Sequence, residues 1–137
     1  MLLSMTPGEK NIVKSLVAVA WADGNVAQPE SGVIEGLLCG FDASDTEEQE
    51  ILAYARQRRT LDDDIPLAEL NREDRALLLA NAALLTHADG QQTPEEQALL
   101  ERLIRMLELD QREADAILAS VARGAFRLGR AAETSSK

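Results

Sequence analysis

The chain has one cysteine, one histidine and few aromatic residues, and each scarcity removes a class of explanation. A single thiol, Cys39, forms no intrachain disulfide, and its place in the run Leu37-Leu38-Cys39 reads as a small buried side chain. The lone His87 has Leu84 three residues before it, so the Glu-x-x-His pairs of a di-iron or dimanganese bundle are missing. With no second histidine and no glycine-rich phosphate loop, acid–base, nucleophilic and phosphoryl-transfer chemistry have little to work with, and a protein that is not an enzyme is expected. Aromatics make up 3% of residues (Trp21, Phe41, Tyr54, Phe126), and the leucine and alanine that dominate instead suit helices better than strands. No apolar run approaches a membrane span, and Met1-Leu-Leu-Ser-Met-Thr-Pro lacks the basic start of a signal peptide. A cytoplasmic protein without membrane insertion is the expectation. Cationic side chains are also in deficit, 14 Lys+Arg against 24 Asp+Glu, for a net charge of −10. Such a surface repels the phosphate backbone, which argues against nucleic acid and fits cations, basic partners or simple solubility.

What is present is a repetition. Trp21-Ala-Asp-Gly-Asn-Val-Ala-Gln-Pro-Glu30 returns as His87-Ala-Asp-Gly-Gln-Gln-Thr-Pro-Glu-Glu96, at a gapless shift of 66 residues from Asp23 to Asp89. Gly24 falls on Gly90, Glu30 on Glu96, Glu47 on Glu113, and Ile51-Leu52-Ala53 on Ile117-Leu118-Ala119. The 137 residues amount to about one domain. We read residues 1–137 as a single all-α domain built from a duplicated three-helix unit, with halves at about 7–59 and 72–123 and a linker at 60–71.

Thr6-Pro7-Gly8-Glu9 is a helix start with a capping box, and Ile12, Val13, Leu16, Val17, Val19 and Ala20 follow at helical spacing, with Lys10, Lys14 and Ser15 turned away. Asp23-Gly24 ends that helix, and Pro29 begins a second carrying Val33, Ile34, Leu37 and Leu38. Gly32, Gly36 and Gly40 line one face of it, which admits close packing within the chain or the seam of a homodimer. Ser44-Asp45-Thr46-Glu47 opens a third helix with inner residues Ile51, Leu52 and Ala55, closed by Arg56, Arg58 and Arg59 at its negative end. Asp62-Asp63-Asp64-Ile65-Pro66 reads as a solvated turn, with a short helical turn at Leu67 to Leu70. Asn71 caps a helix apolar on nearly every side from Ala76 to Ala88, which must be central. Thr93-Pro94-Glu95-Glu96 starts the next, with Leu99, Leu100, Leu103, Ile104 and Leu107, and Asp110 to Glu113 the sixth, with Ile117, Leu118 and Val121. Gly124 precedes a short terminal piece with Phe126 and Leu128, and Arg123, Arg127 and Arg130 form a basic patch.

Each acidic turn sets an aspartate before a glycine and a glutamate in the first turn of the following helix. If the two turns meet, Asp23, Glu30, Asp89 and Glu96 offer oxygen ligands suited to calcium, magnesium or manganese, and His87 adds a nitrogen suited to zinc. The same residues equally serve as helix caps and dipole partners, which would make the turns purely structural in a protein-interaction scaffold. A single-turn EF-hand is excluded: aligning Gly24 with the loop glycine puts Val19 and Trp21, and in the second copy Leu85 and His87, where oxygen ligands are required.

The helix–Asp-Gly–x5–Glu–helix unit, carried by Ala22-Asp23-Gly24 with Glu30 and Ala88-Asp89-Gly90 with Glu96, resembles the TerB family. That family is named for tellurite resistance and also occurs as a domain of DjlA-type co-chaperones. The resemblance implies a compact bundle of about seven helices and a non-catalytic role in metal or chemical stress, with metal binding proposed through those acids. Gln92 in place of Val26, and Ala27 in place of Thr93, are departures between the two copies.

Overall fold

Local chemistry decides where the helices start. The computed structural model describes residues 5–23, 38–41, 43–86 and 94–122. Among them the chain is all-α, with no strand: α1 (Pro7–Asp23), helical residues at 38–40, α2 (Asp45–Ala55), α3 (Leu61–Asp64), a 3-10 turn (Leu67–Glu69), α4 (Arg72–Thr86), α5 (Pro94–Leu107) and α6 (Gln111–Ala122). Thr6 Oγ1 accepts the Glu9 N–H at 3.1 Å while Glu9 returns a carboxylate to the Thr6 N–H at 3.0 Å. Ser44 and Glu47 make the same reciprocal box for α2. Asn71 and Asp74 make it for α4, at 2.7 and 3.1 Å, and Asp110 caps α6 through the Arg112 and Glu113 N–H groups. Each box satisfies donors that a helix cannot satisfy internally.

These capped starts gather at one end of the bundle. The Met5 N–H reaches Glu47 at 3.1 Å, joining the starts of α1 and α2. A Cβ placed on Gly8 would stand 3.2 Å from the Asp74 carboxylate, so α1 and α4 begin side by side. Arg72 pairs with Glu113 at 3.2 Å, joining the starts of α4 and α6. Trp21 Nε1 donates to the Ala55 carbonyl at 3.0 Å, so α1 and α2 also finish together and run in the same direction. α1 and α4 advance along one shared groove, Thr6 to Ile12 beside Glu73 to Leu77, and so share that direction too. α5 runs the opposite way: its last carbonyl, on Leu107, accepts from Arg75 in the second turn of α4 at 2.8 Å.

The core is built on two helices rather than one. α1 is buried at Ile12, Val13 and Leu16 through Ala20, and α4 from Leu78 through Ala83 and again at Leu85. Leu38, Phe41, Ile51, Leu100, Leu103, Leu107, Ala114 and Val121 close round them. Ser15 departs from expectation, being fully buried instead of turned to solvent. Its hydroxyl donates to the Asn11 carbonyl four residues back at 2.8 Å, so burial leaves no donor unmet. Cys39 is also corrected, since its thiol is exposed: Leu38 and Phe41 take the inward positions, and the residue between them is carried round the helix toward solvent. Asp62 to Pro66 do not form the open solvated turn expected of them. Thr60 caps α3, the aspartates occupy its first turn, Asp62 pairs with Arg102 and Asp64 with Arg59, and Leu61, Ile65 and Leu70 are buried. The expected helical turn at 67–70 is present as the 3-10 turn. Of the glycine stripe, Gly32 and Gly36 lie outside the described residues, as do Pro29, Gly124 and the arginines 123, 127 and 130.

Several features recur at the offset that carries Asp23 to Asp89. Ser15 and Asn81 are both fully buried polar residues in otherwise apolar helices, and Asn81 donates to the Leu77 carbonyl at 3.0 Å as Ser15 does to Asn11. The Ala43 N–H reaches Leu38 O at 3.0 Å, and Leu109 N–H reaches Ile104 O at 3.3 Å. The second of these bonds, with Glu108 N–H to Arg105 O, is a Schellman closure of α5 in which Glu108 takes the left-handed position at φ 58°.

A side chain with a Cβ is disfavoured at that position by about 1–2 kcal/mol, partly offset by the unfolded-state freedom of glycine. Glu108→Gly should therefore raise the thermal midpoint, by a stabilisation of about 0.5–1 kcal/mol in urea titration. Arg75 is the opposite case. Its guanidinium donates to Leu70 O at 3.1 Å, Leu67 O at 2.7 Å and Leu107 O at 2.8 Å, fastening the 3-10 turn and the end of α5 to α4. Arg75→Ala should cost about 2–4 kcal/mol in the same titration, and Arg75→Lys should recover less than half, because an ammonium lacks the planar fork.

Candidate functional site

The end opposite the caps holds the described residues that flank the two Asp-Gly pairs in sequence. α1 finishes there at Asp23, α4 finishes there at Thr86, and α5, running back, begins there at Pro94. Trp21, two residues before Asp23, ties this end of α1 to the last carbonyl of α2. Arg59 Nε donates to Tyr54 O at 3.1 Å, and its guanidinium lies 3.5 Å from the centroid of the Tyr54 ring, with Lys14 Nζ at 5.4 Å. Of the three arginines expected to serve the negative end of α2, Arg59 does so, whereas Arg56 and Arg58 are exposed. Burial pushes the Tyr54 hydroxyl above its ordinary pKa, against the pull of Arg59.

Of the proposed metal ligands, Asp23 is the last residue of α1, and Glu96 is the third residue of α5 and half-buried. Glu30, His87 and Asp89 lie outside the described residues. The fold thus sends the C-terminal ends of both central helices and the start of α5 to one end of the molecule. Among the described residues no group of three or more His, Cys, Asp or Glu side chains is arranged to hold a metal.

A cleft of about 540 Å³ opens at the capped end beside Arg75, with Arg72, Asp110 and Glu113 on its wall. Apart from the exposed Glu108, its charges are engaged in the fold: Arg75 holds three carbonyls, Arg72 pairs with Glu113, and Asp110 caps α6. The described carboxylate most clearly displaced from ordinary behaviour, Glu47, belongs to this end as well. The Ser44 backbone N–H does most to hold its pKa below the usual glutamate range, with help from the Met5 N–H and Lys10, against the opposing effect of burial. It is a clamp on the entry of the chain into α1, since it is buried and bonds Met5, Ser44 and, at 3.8 Å, Lys10.

Three of these roles escape a reading of the sequence alone. The long-range bonds of Trp21 and of Glu47 to Met5 leave no pattern. Arg75 left a faint one, a cation near the start of a helix whose dipole disfavours it, which signals a specific partner elsewhere.

Among the described residues the chain is an all-α bundle whose two central helices end at Asp23 and Thr86, in sequence just ahead of Gly24 and of Asp89-Gly90. A family model for Tellurite resistance protein TerB matches residues 9–119, from the first turn of α1 almost to the end of α6. The chain belongs to the TerB family. No curated protein and no solved structure matches it. No helix among the described residues is long and apolar enough to cross a membrane.

Because the Glu47 pKa is lowered in the fold, its contribution to stability is full above the ordinary glutamate value and is lost as pH falls through the lower folded value. Urea midpoints taken from about pH 6 to about pH 3 should fall along an acid limb that is shallower in Glu47→Gln. Equal limbs in the two proteins would remove Glu47 from the account of acid stability.

Proposed function

We propose that this chain is a non-catalytic cytoplasmic module that binds a divalent cation through Asp23, Glu30, Asp89 and Glu96, with His87 as a further donor. Its role would be a metal or chemical-stress response of the tellurite-resistance type. The observation that carries the reading is the shared direction of α1 and α4, with α5 returning, which puts Asp23, the end of α4 and Glu96 at one end. The electrostatics add to it. No lysine or arginine occupies the last turn of α1 or of α4, so the negative poles of two helix dipoles, each about half a charge, add to the carboxylates there. An oxygen-rich donor set suits calcium, magnesium or manganese, and the imidazole brings zinc within range. The caps Ser44 and Asp110, the buried residues Ser15 and Asn81 and the bonds Ala43 to Leu38 and Leu109 to Ile104, each pair 66 residues apart, support descent of both halves from one copied unit, which is how two such turns would arise.

Calorimetric titration of the chain with each of these four ions is the test. Trp21, the single tryptophan and two residues from Asp23, gives an independent emission readout. At least one ion should bind saturably, and an Asp23→Asn/Asp89→Asn protein should bind it at least about tenfold more weakly, which is about 1.4 kcal/mol. A hundredfold excess of ion over its dissociation constant should stabilise the wild type by about 2.7 kcal/mol. No heat and no emission change with any ion would leave the turns as helix caps in an interaction scaffold.

A further inference from the structure

Away from the acidic turns, at the capped end, a groove of about 550 Å³ lies between α1, α4 and α6. Its floor is apolar: Ile12 from α1, Ala76 and Leu77 from α4, and Ile117 from α6, the last three only half-buried. Its rim carries Glu9, Glu73 and Asp74, and no lysine or arginine lines it. Two of those carboxylates are held in place by their capping bonds, Glu9 to the Thr6 N–H and Asp74 to the Asn71 N–H. The positive poles of α1 and α4 offset about half a charge each, which leaves the rim negative by roughly two charges. From Thr6 to Ile12 the groove follows α1 for only about 9 Å at 1.5 Å per residue, room for one or two large side chains.

We propose that this groove docks a short basic segment of a partner protein, seating one large apolar side chain on Ile12, Ala76, Leu77 and Ile117 while lysines or arginines face Glu9, Glu73 and Asp74. Charge selects this occupant over the others. An anionic lipid headgroup or a nucleic-acid phosphate is repelled by the rim, and a second copy of a chain with net charge −10 approaches against its own field. Apolar contact supplies the affinity, and the fixed carboxylates supply orientation and selectivity. The inference is independent of the cation reading, because no residue is shared between the two sites.

The test uses the full chain and a dye-labelled peptide, Lys-Arg-Leu-Phe-Arg-Lys, followed by fluorescence anisotropy with chelator present, so that loss of a bound ion cannot be mistaken for loss of docking. Saturable binding is expected. Glu73→Lys, at an exposed position outside the Asn71–Asp74 capping box, should weaken it about threefold. Ala76→Met, which fills the groove, should weaken it at least about tenfold, as should replacing Leu-Phe in the peptide by Ser-Ser. Equal binding of the Ser-Ser peptide, or indifference to Glu73→Lys, would overturn the proposal in favour of diffuse attraction to an acidic surface. Absence of binding at millimolar peptide would overturn it outright. A wild-type dimer in sedimentation equilibrium that Ala76→Met dissolves would overturn it by giving the groove to a second copy.

Discussion

Everything in this fold depends on two apolar helices lying against each other in the same direction. α1 and α4 are buried on so many sides that neither has a stable existence without the other elements wrapped round the pair. Two parallel neighbours cannot be joined by a short turn, so each half needs a returning segment before its next helix. In the second half that return is α5, and it explains why Leu107 arrives beside the start of α4 and can be caught there by Arg75. Geometry set by the central pair thus decides where the remaining helices go, and polar groups then fasten them.

The fastening is concentrated at one end and is largely electrostatic. Four capped starts assemble there, bringing together the positive poles of their helices, and acidic residues occupy the first turn of every α-helix described. Part of the acid excess is therefore structural, since Glu9, Glu47, Asp74 and Asp110 each complete a cap. At the other end the last turns of α1 and α4 hold no lysine or arginine, and Arg59 sits beside Tyr54 just past the end of α2. The capped end thus stabilises its own charges.

Much of this was legible in the residues because the information is local. N-cap chemistry at Thr6, Ser44, Asn71 and Asp110 needs only a side chain and the next three residues, and helical spacing assigns Ile12 to Ala20 and Leu100 to Leu107 to the core. Errors came where a neighbour distant in sequence decides. Ser15 has the polarity of a surface residue, but a helix enclosed on all sides buries it, and back-bonding to Asn11 makes that tolerable. Cys39 sits in an apolar run yet falls one position off the inward face. The aspartates at 62–64 suggest repulsion, and what changes their meaning is Thr60 behind them and Arg59 and Arg102 beside them. Of the candidate site, the sequence places Asp23 at the end of α1 and Glu96 in the first turn of α5, as the fold has them, while Glu30, His87 and Asp89 lie outside the described residues.

The pairing of α1 with α4 also has a consequence for biosynthesis. At about 5–20 residues per second, a ribosome needs several seconds after finishing α1 before α4 has been made. Throughout that interval the nascent chain carries an oily stripe from Ile12 to Ala20 whose main cover does not yet exist, while α2 can shield only one side. Folding of the first half is therefore held back until translation is well advanced.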